Sequence, residues 1–314
     1  MAVLVGSVVA SMGCGGGSDS DKAFLTSQQD ILAGALQPSS SAAFQVWAFT
    51  SVQGQGWIRS ERPVAHSYTS LGLHLEEGEL HLSGQHRLQL PTAEEEAMNL
   101  LWTQSLVTDG TDWSARITPF EDPEVTSHTD HQWHAGELWY FATAQSHRAF
   151  DQPVDQDPAN LPVERDPLWR EGMHLLRSTS PARTRVEGAG LGDPSPVTFQ
   201  GQLHLFATRV HGTISQGSVE VVHFAGPDLT EARTFPGVTV PFAAVVGEEL
   251  WLLAQAQVGG RRQPVGARSR DGTTWSSWEP LVDLGTMSNC TSPVMGKLGE
   301  TWWLFCVEET RQPG

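Results

Sequence analysis

The chain has 314 residues and a formal charge of -17, with 19 Lys and Arg against 36 Asp and Glu. So few cations exclude a nucleic-acid binder, which needs clustered Lys and Arg to displace phosphate counterions. Twelve tryptophans against two tyrosines is a skewed aromatic supply, read most simply as packing inside a β core. Length alone allows about two ordinary domains, but the repeat described below argues for one.

Residues 1–13 are small and apolar, Cys14 follows, and then comes Gly15-Gly16-Gly17-Ser18-Asp19-Ser20-Asp21. The stretch is too short for a mature transmembrane helix and suits a signal h-region. It resembles a bacterial lipoprotein signal, in which cleavage leaves a lipid-bearing cysteine as the first residue. Gly13-Cys14 match that pattern, while Ser11 and the lack of a basic n-region depart from it. The resemblance implies lipidation of Cys14, export to the cell envelope and membrane contact only through the lipid. A plain secretory signal, with release of the protein, is the alternative. Residues 15–42 then read as a flexible tether, with a short helical piece at 23–36.

Ordered structure is expected from residue 43. Residues 44–50 form a strand, Gln53-Gly54-Gln55-Gly56 a turn and 57–59 a second strand. Residues 69–76 and 79–86 make a hairpin about Gly78, and 98–107 is a third strand leading to Asp109-Gly110 and Trp113. Residues 127–134 and 137–144 turn about Gly136, and a third strand, 173–178, follows an insertion. The next unit has strands at 196–199, 202–210 and 218–224. Residues 237–280 are the clearest unit, with strand, Gly247-Glu248 turn, strand, third strand, Asp271-Gly272 turn and Trp275 to Trp278. Residues 291–297 and 301–307 supply only the first two strands of a unit, and 44–59 match the missing third and fourth.

The glycines opening the second strands (78, 136, 201, 247 and 299) recur 58, 65, 46 and 52 residues apart. About four strands per period is the mark of a β-propeller. The expected fold is all-β: five four-stranded antiparallel blades in one domain, 43–314, the last blade closed by N- and C-terminal strands. Such closure removes the open sheet edge.

The insertion at 146–170 is rich in Pro and Asp and reads as a solvated loop; a lid or calcium site is the sharper alternative, but its Asp spacing lacks calcium-loop register. Cys290 and Cys306 are equidistant from a turn placed near Leu298, so opposed strands bring them within disulfide reach. Two buried free thiols are the other reading. Neither cysteine has a second ligand at finger spacing, and no metal or cofactor is expected.

Two stretches carry family resemblances. Ser269-Arg270-Asp271-Gly272-Thr273-Thr274-Trp275 resembles the Asp-box hairpin of sialidases, one residue shorter between Asp and Gly, with a weaker copy at Thr108 to Trp113. That box is structural and implies fold, not catalysis. The blade number and Asp193-Pro194-Ser195-Pro196-Val197 resemble five-bladed glycosidases of the arabinanase and fructosidase kind. That resemblance implies inner-strand carboxylates serving chemistry. Glycoside hydrolysis needs two carboxyl groups across the sugar, and Asp130 and Asp193 are the candidates here. The third inner-strand acid of those glycosidases has no counterpart, nor has the arginine cluster of sialidases.

His128, His131, Trp133 and Tyr68 lie on predicted inner strands and are candidate ligand contacts. Simple alternation puts His128, Asp130, Gln132 and His134 on one face and His131 and Trp133 on the other. A polar channel lining accounts for the histidines equally well. The leading expectation is a tethered monomeric propeller that binds a carbohydrate or a surface protein at its channel mouth. The alternatives are a glycoside hydrolase using Asp130 and Asp193, and a non-catalytic scaffold; whether the protein is an enzyme stays open at this point.

Overall fold

The computed structural model describes residues 44–66, 68–76, 78–86, 102–108, 114–119, 125–145, 173–179, 182–186, 190–211 and 218–309. Cys14, the tether, the insertion at 146–170 and Asp109-Gly110 lie outside them. The strands in chain order are β1 (Phe44–Ser51), β2 (Ile58–Arg59), β3 (Ala65–His66), β4 (Tyr68–Glu76), β5 (Glu79–His86), β6 (Trp102–Thr108) and β7 (Ser114–Pro119). Next come β8 (Val125–His134), β9 (Glu137–Gln145), β10 (Met173–Thr179), β11 (Ala182–Arg185), β12 (Leu191–Phe199), β13 (Gln202–His211), β14 (Ser218–Ala225) and β15 (Thr230–Pro236). The last are β16 (Val238–Val246), β17 (Glu249–Val258), β18 (Arg261–Ser269), β19 (Glu279–Pro280), β20 (Thr291–Leu298) and β21 (Thr301–Glu309).

They form five antiparallel sheets: β4 to β7, β8 to β11, β12 to β15, β16 to β19, and a closing sheet ordered β2-β1-β21-β20 with β3 also on β1. The first strands contact one another in turn, β4 to β8, β8 to β12, β12 to β16, β16 to β20, and β20 back to β4. That circuit is a closed five-bladed propeller, as the repeat predicted. The join is a long ladder in which Phe44 pairs with Glu309 and Ser51 with Trp302.

Blade stacking explains why middle strands read as apolar runs and not as alternation. Leu203 to Thr208 on β13 and Val221 to Phe224 on β14 are all buried, because both faces of each blade meet a neighbouring blade. Outer strands behave oppositely: β15 is mostly exposed and carries Glu231 and Arg233, charges that blunt an edge against pairing with another chain. Hairpin turns match the strand twist; Gln200 and Gly201 both take positive φ, 50° and 78°, the mirror-image geometry favoured between two strands. Among the described residues, three apolar clusters fill the joints. The largest gathers Val46, Phe49, Leu71, Leu80, Phe242 and Phe305 where the closing blade meets its neighbours.

Two sequence expectations differ in detail. The fourth strand of the clearest unit is only Glu279–Pro280, not the Trp275 to Trp278 run. Those tryptophans pack edge-on against Phe235 of the preceding blade, so wedging between blades takes the place of ladder pairing. Cys290 and Cys306 are bonded, with Cα atoms 5.4 Å apart, but the turn is at Gly299-Glu300 and Thr291 pairs with Val307. The bridge is therefore diagonal and not between opposed residues. A loop this short contributes about 3 kcal/mol, chiefly by restricting the unfolded chain.

Candidate functional site

Each inner strand carries an extra residue near its start, and β8 carries a second one between Val125 and Ser127. The register slips between Thr69 and Leu71, Ser127 and Thr129, Gly192 and Ser195, Thr239 and Phe242, and Thr291 and Val294. Counted back from the hairpin that ends each strand, the slip falls at one shared place, held by Ser70, His128, Asp193, Val240 and Ser292. Bulges of this kind bend a strand and re-aim a side chain, and they gather at barrel rims and active sites.

Three of these places have the same chemistry. Asp193, Val240 and Ser292 have φ of 50°, 50° and 49°, and a proline follows each (Pro194, Pro241, Pro293). Proline brings no N–H into the bulge, where a ladder partner is missing anyway. The one amide left at each bulge is tied across the blade joint. Asp193 N donates to Thr143 Oγ1 at 3.0 Å, Val240 N to Thr208 Oγ1 at 2.8 Å and Ser292 N to Gln255 Oε1 at 3.3 Å. Thr143, Thr208 and Gln255 each stand opposite the residue before their own blade's bulge. The repeat thus carries its own latch from blade to blade. One place deeper, Ser195 Oγ accepts the Ala243 amide at 2.9 Å.

The candidates from sequence distribute over this frame as follows. Asp193 is the third residue of β12, half-buried and at the bulge. Its αL backbone is one that Asp tolerates better than most residues. Asp130 pairs with Phe141, at the strand place filled elsewhere by the buried residues Gly72, Ser195, Phe242 and Val294. Asp130 and Asp193 therefore sit on neighbouring, touching strands but at different levels of the ring. His128 lies in the bulge itself, where the two-residue alternation linking it to Asp130 is interrupted. His131 pairs with Tyr140, Trp133 with Leu138, and Tyr68, first residue of β4, with His86. Of these candidates, Asp193 and His128 share the bulge place, on adjacent blades. Among the described residues no group of three or more His, Cys, Asp or Glu is arranged to hold a metal ion.

The surroundings of the mouth are largely self-satisfied. Arg209, opposite Leu191, lies between Glu231 at 2.7 Å and Glu220 at 3.5 Å, and His211 Nε2 is 2.7 Å from Glu220. Burial alone would raise the Glu220 carboxyl. Hydrogen bonds from His211 and Thr234 and the charges of His211 and Arg209 outweigh it and hold the carboxyl below its usual range. At the opposite, hairpin end, a shallow depression of about 400 Å3 is lined by Thr50, Ser51, Gln53, Ile58 and Thr301. It belongs to the closing blade, at the end away from the bulges.

Sequence reasoning missed a buried histidine pair. His204 Nδ1 and His223 Nε2 are 2.8 Å apart, at 3% and 2% exposure. The other nitrogen of His204 serves the Phe199 carbonyl, so neutral His204 accepts from the His223 N–H. Phe206 stacks on His223 with centroids 4.4 Å apart, and Trp275 meets both edge-on. The Asp271 turn closes over the pair. Asp271 Oδ1 accepts from the amides of Thr274 (2.6 Å) and Thr273 (2.8 Å), which hold its carboxyl well below the usual range. Gly272, at φ 72°, leaves room for the ring, since a Cβ there would lie 2.9 Å from His204 Cε1. His204, His223 and Gly272 lie 19 or more residues apart in sequence, and no local pattern announces their meeting.

No protein-family model matches the sequence, and a search of curated proteins finds no match. Solved structures with a similar path include an endo-arabinase from Bacteroides thetaiotaomicron, 12% identical, TM-score 0.46, covering 79% of this chain and 96% of that one. An α-L-arabinofuranosidase from Lactobacillus brevis is 10% identical, TM-score 0.47, covering 74% and 80%. An arabinoxylan arabinofuranohydrolase from Bacillus subtilis, in complex with cellotetraose, is 11% identical, TM-score 0.49, covering 76% and 58%.

Proposed function

We propose that the bulged mouth of the ring binds a neutral carbohydrate. The observation that carries this reading is the shared bulge place, filled by Ser70, His128, Asp193, Val240 and Ser292. Four of the five bear hydrogen-bonding groups, and they are anchored on strands and not on loops. A polyhydroxy ligand suits such a ring, in which a few placed polar groups fix orientation. The net charge of -17 disfavours polyanions. Binding of cellotetraose, xylotetraose and arabinotetraose by calorimetry tests the reading. At least one should bind, and Asp193→Asn, which keeps an acceptor oxygen but loses its charge, should weaken it roughly three- to tenfold. Binding of none of the three overturns it.

The second reading is a glycoside hydrolase, favoured by Asp130 and Asp193 lying on adjacent, contacting strands. Their different levels fit it less well than two acids at one level would. In the same protein, aryl-glycoside turnover that disappears in both Asp130→Asn and Asp193→Asn would establish the hydrolase instead of the simple binder.

Export and anchoring complete the proposal. The Cys290–Cys306 bridge suits an oxidising compartment, in keeping with a lipid on Cys14 that holds the propeller at the cell envelope. Cys14→Ser should move the protein from the membrane fraction to the soluble one; unchanged membrane association would remove the anchor.

A further inference from the structure

The conformation at the bulge is demanded by the fold, since three different residues, Asp193, Val240 and Ser292, adopt it in three blades with the same amide latch. The residue type is then the free choice. Left-handed backbone is readily taken by Gly, Asn and Asp, and a β-branched residue there is a true outlier. Val240 is β-branched, at φ 50°, with a proline after it. Core packing does not account for it: Val240 belongs to none of the apolar clusters among the described residues, although Val238 and Ala243 on either side do. It stays half-buried at the ring mouth, between the blades that carry Asp193 and Ser292. Strain kept at a rim position, outside the apolar clusters among the described residues, points to function.

Resting on the carbohydrate reading above, we infer that Val240 is a specificity residue, supplying the apolar contact for the C–H face of a sugar ring whose hydroxyl groups meet Asp193 and Ser292. A sugar ring has both kinds of surface, and a mouth with one apolar place among polar ones matches it. The choice of Val sacrifices stability for that contact.

Val240→Asn and Val240→Gly test this, read by thermal melting and by titration with cellotetraose, xylotetraose and arabinotetraose. Asn relieves the backbone and keeps the amide latched to Thr208, so its melting temperature should rise by about 2 °C. Affinity for whichever tetraose the wild type binds should fall about tenfold in both variants. Affinity within twofold of wild type overturns the inference, as does a lower melting temperature in both variants, which would make Val240 a packing residue. Binding weakened by Asp193→Asn but not by either Val240 variant overturns this inference alone. A wild type that binds none of the three sugars overturns the carbohydrate reading and this inference together.

Discussion

Removal of residues 44–59 should give a protein that aggregates. Strand β1 holds all eight of its residues, Phe44–Ser51, against β21. Its loss leaves β21 with an unpaired edge, the template for pairing with other chains. It also strips Val46 and Phe49, at 0% and 1% exposure, from the largest apolar cluster. At roughly 1.5–3 kcal/mol for each large buried side chain, and with the ladder lost as well, the deficit rivals the whole stability of an ordinary domain, about 5–15 kcal/mol. Leu304 and Phe305, fully buried on β21, would then face solvent. Size-exclusion chromatography and thermal melting would show it. A soluble monomer lacking 44–59 with a wild-type melt would mean that the ring does not depend on its closing strand. Deletion of residues 15–36 is expected to leave the melt unchanged.

Acid should unfold the joint between the third and fourth blades before carboxylates are protonated. Burial, then the neighbouring His204 and the Arg233 charge, depress His223 to about 3 from an ordinary 6.5, and burial lowers His204 too. Unfolded histidines take up protons near pH 6.5, so below that pH the unfolded chain binds more protons than the folded one. The stabilisation is complete above about pH 6.5 and is lost progressively as pH falls toward about 3. At pH 5, His223 alone should lower stability by on the order of 2 kcal/mol relative to pH 7.5. Denaturant titrations at several pH values would read this slope, and His223→Phe should flatten it. Asp271 loses its own contribution only at lower pH, since its amide bonds keep the carboxyl ionised. A wild-type stability flat from pH 7.5 to 5 would show that the pair is not held neutral.

The candidate site was only partly legible before folding. Asp193 stood out because Pro194 follows it, a local feature that restricts the backbone whatever surrounds it. The same dipeptide pattern at Val240-Pro241 and Ser292-Pro293 was present but unread, because Val and Ser are chemically unremarkable residue types. Only the register makes them equivalent to Asp193. The alternation that grouped His128 with Asp130 assumed an unbroken strand, and a bulge needs just one extra residue to interrupt it.

Blade number, strand order within a blade and ring closure were set by the sequence itself. Gly-led hairpins at a steady period specify antiparallel units, and an incomplete unit at each end leaves one way to satisfy both edges. Lengths of outer strands, the diagonal path of the disulfide, the bulge latches and the His204–His223 pair were decided by tertiary structure. The reason is common to all four: each depends on side chains that only folding brings together, across blade joints for the tryptophan wedge and the latches, and between paired strands of one blade for the bridge and the histidine pair. Sequence pattern governs what a strand does along its own length. What two blades do across their joint depends on which side chains the ring brings opposite each other.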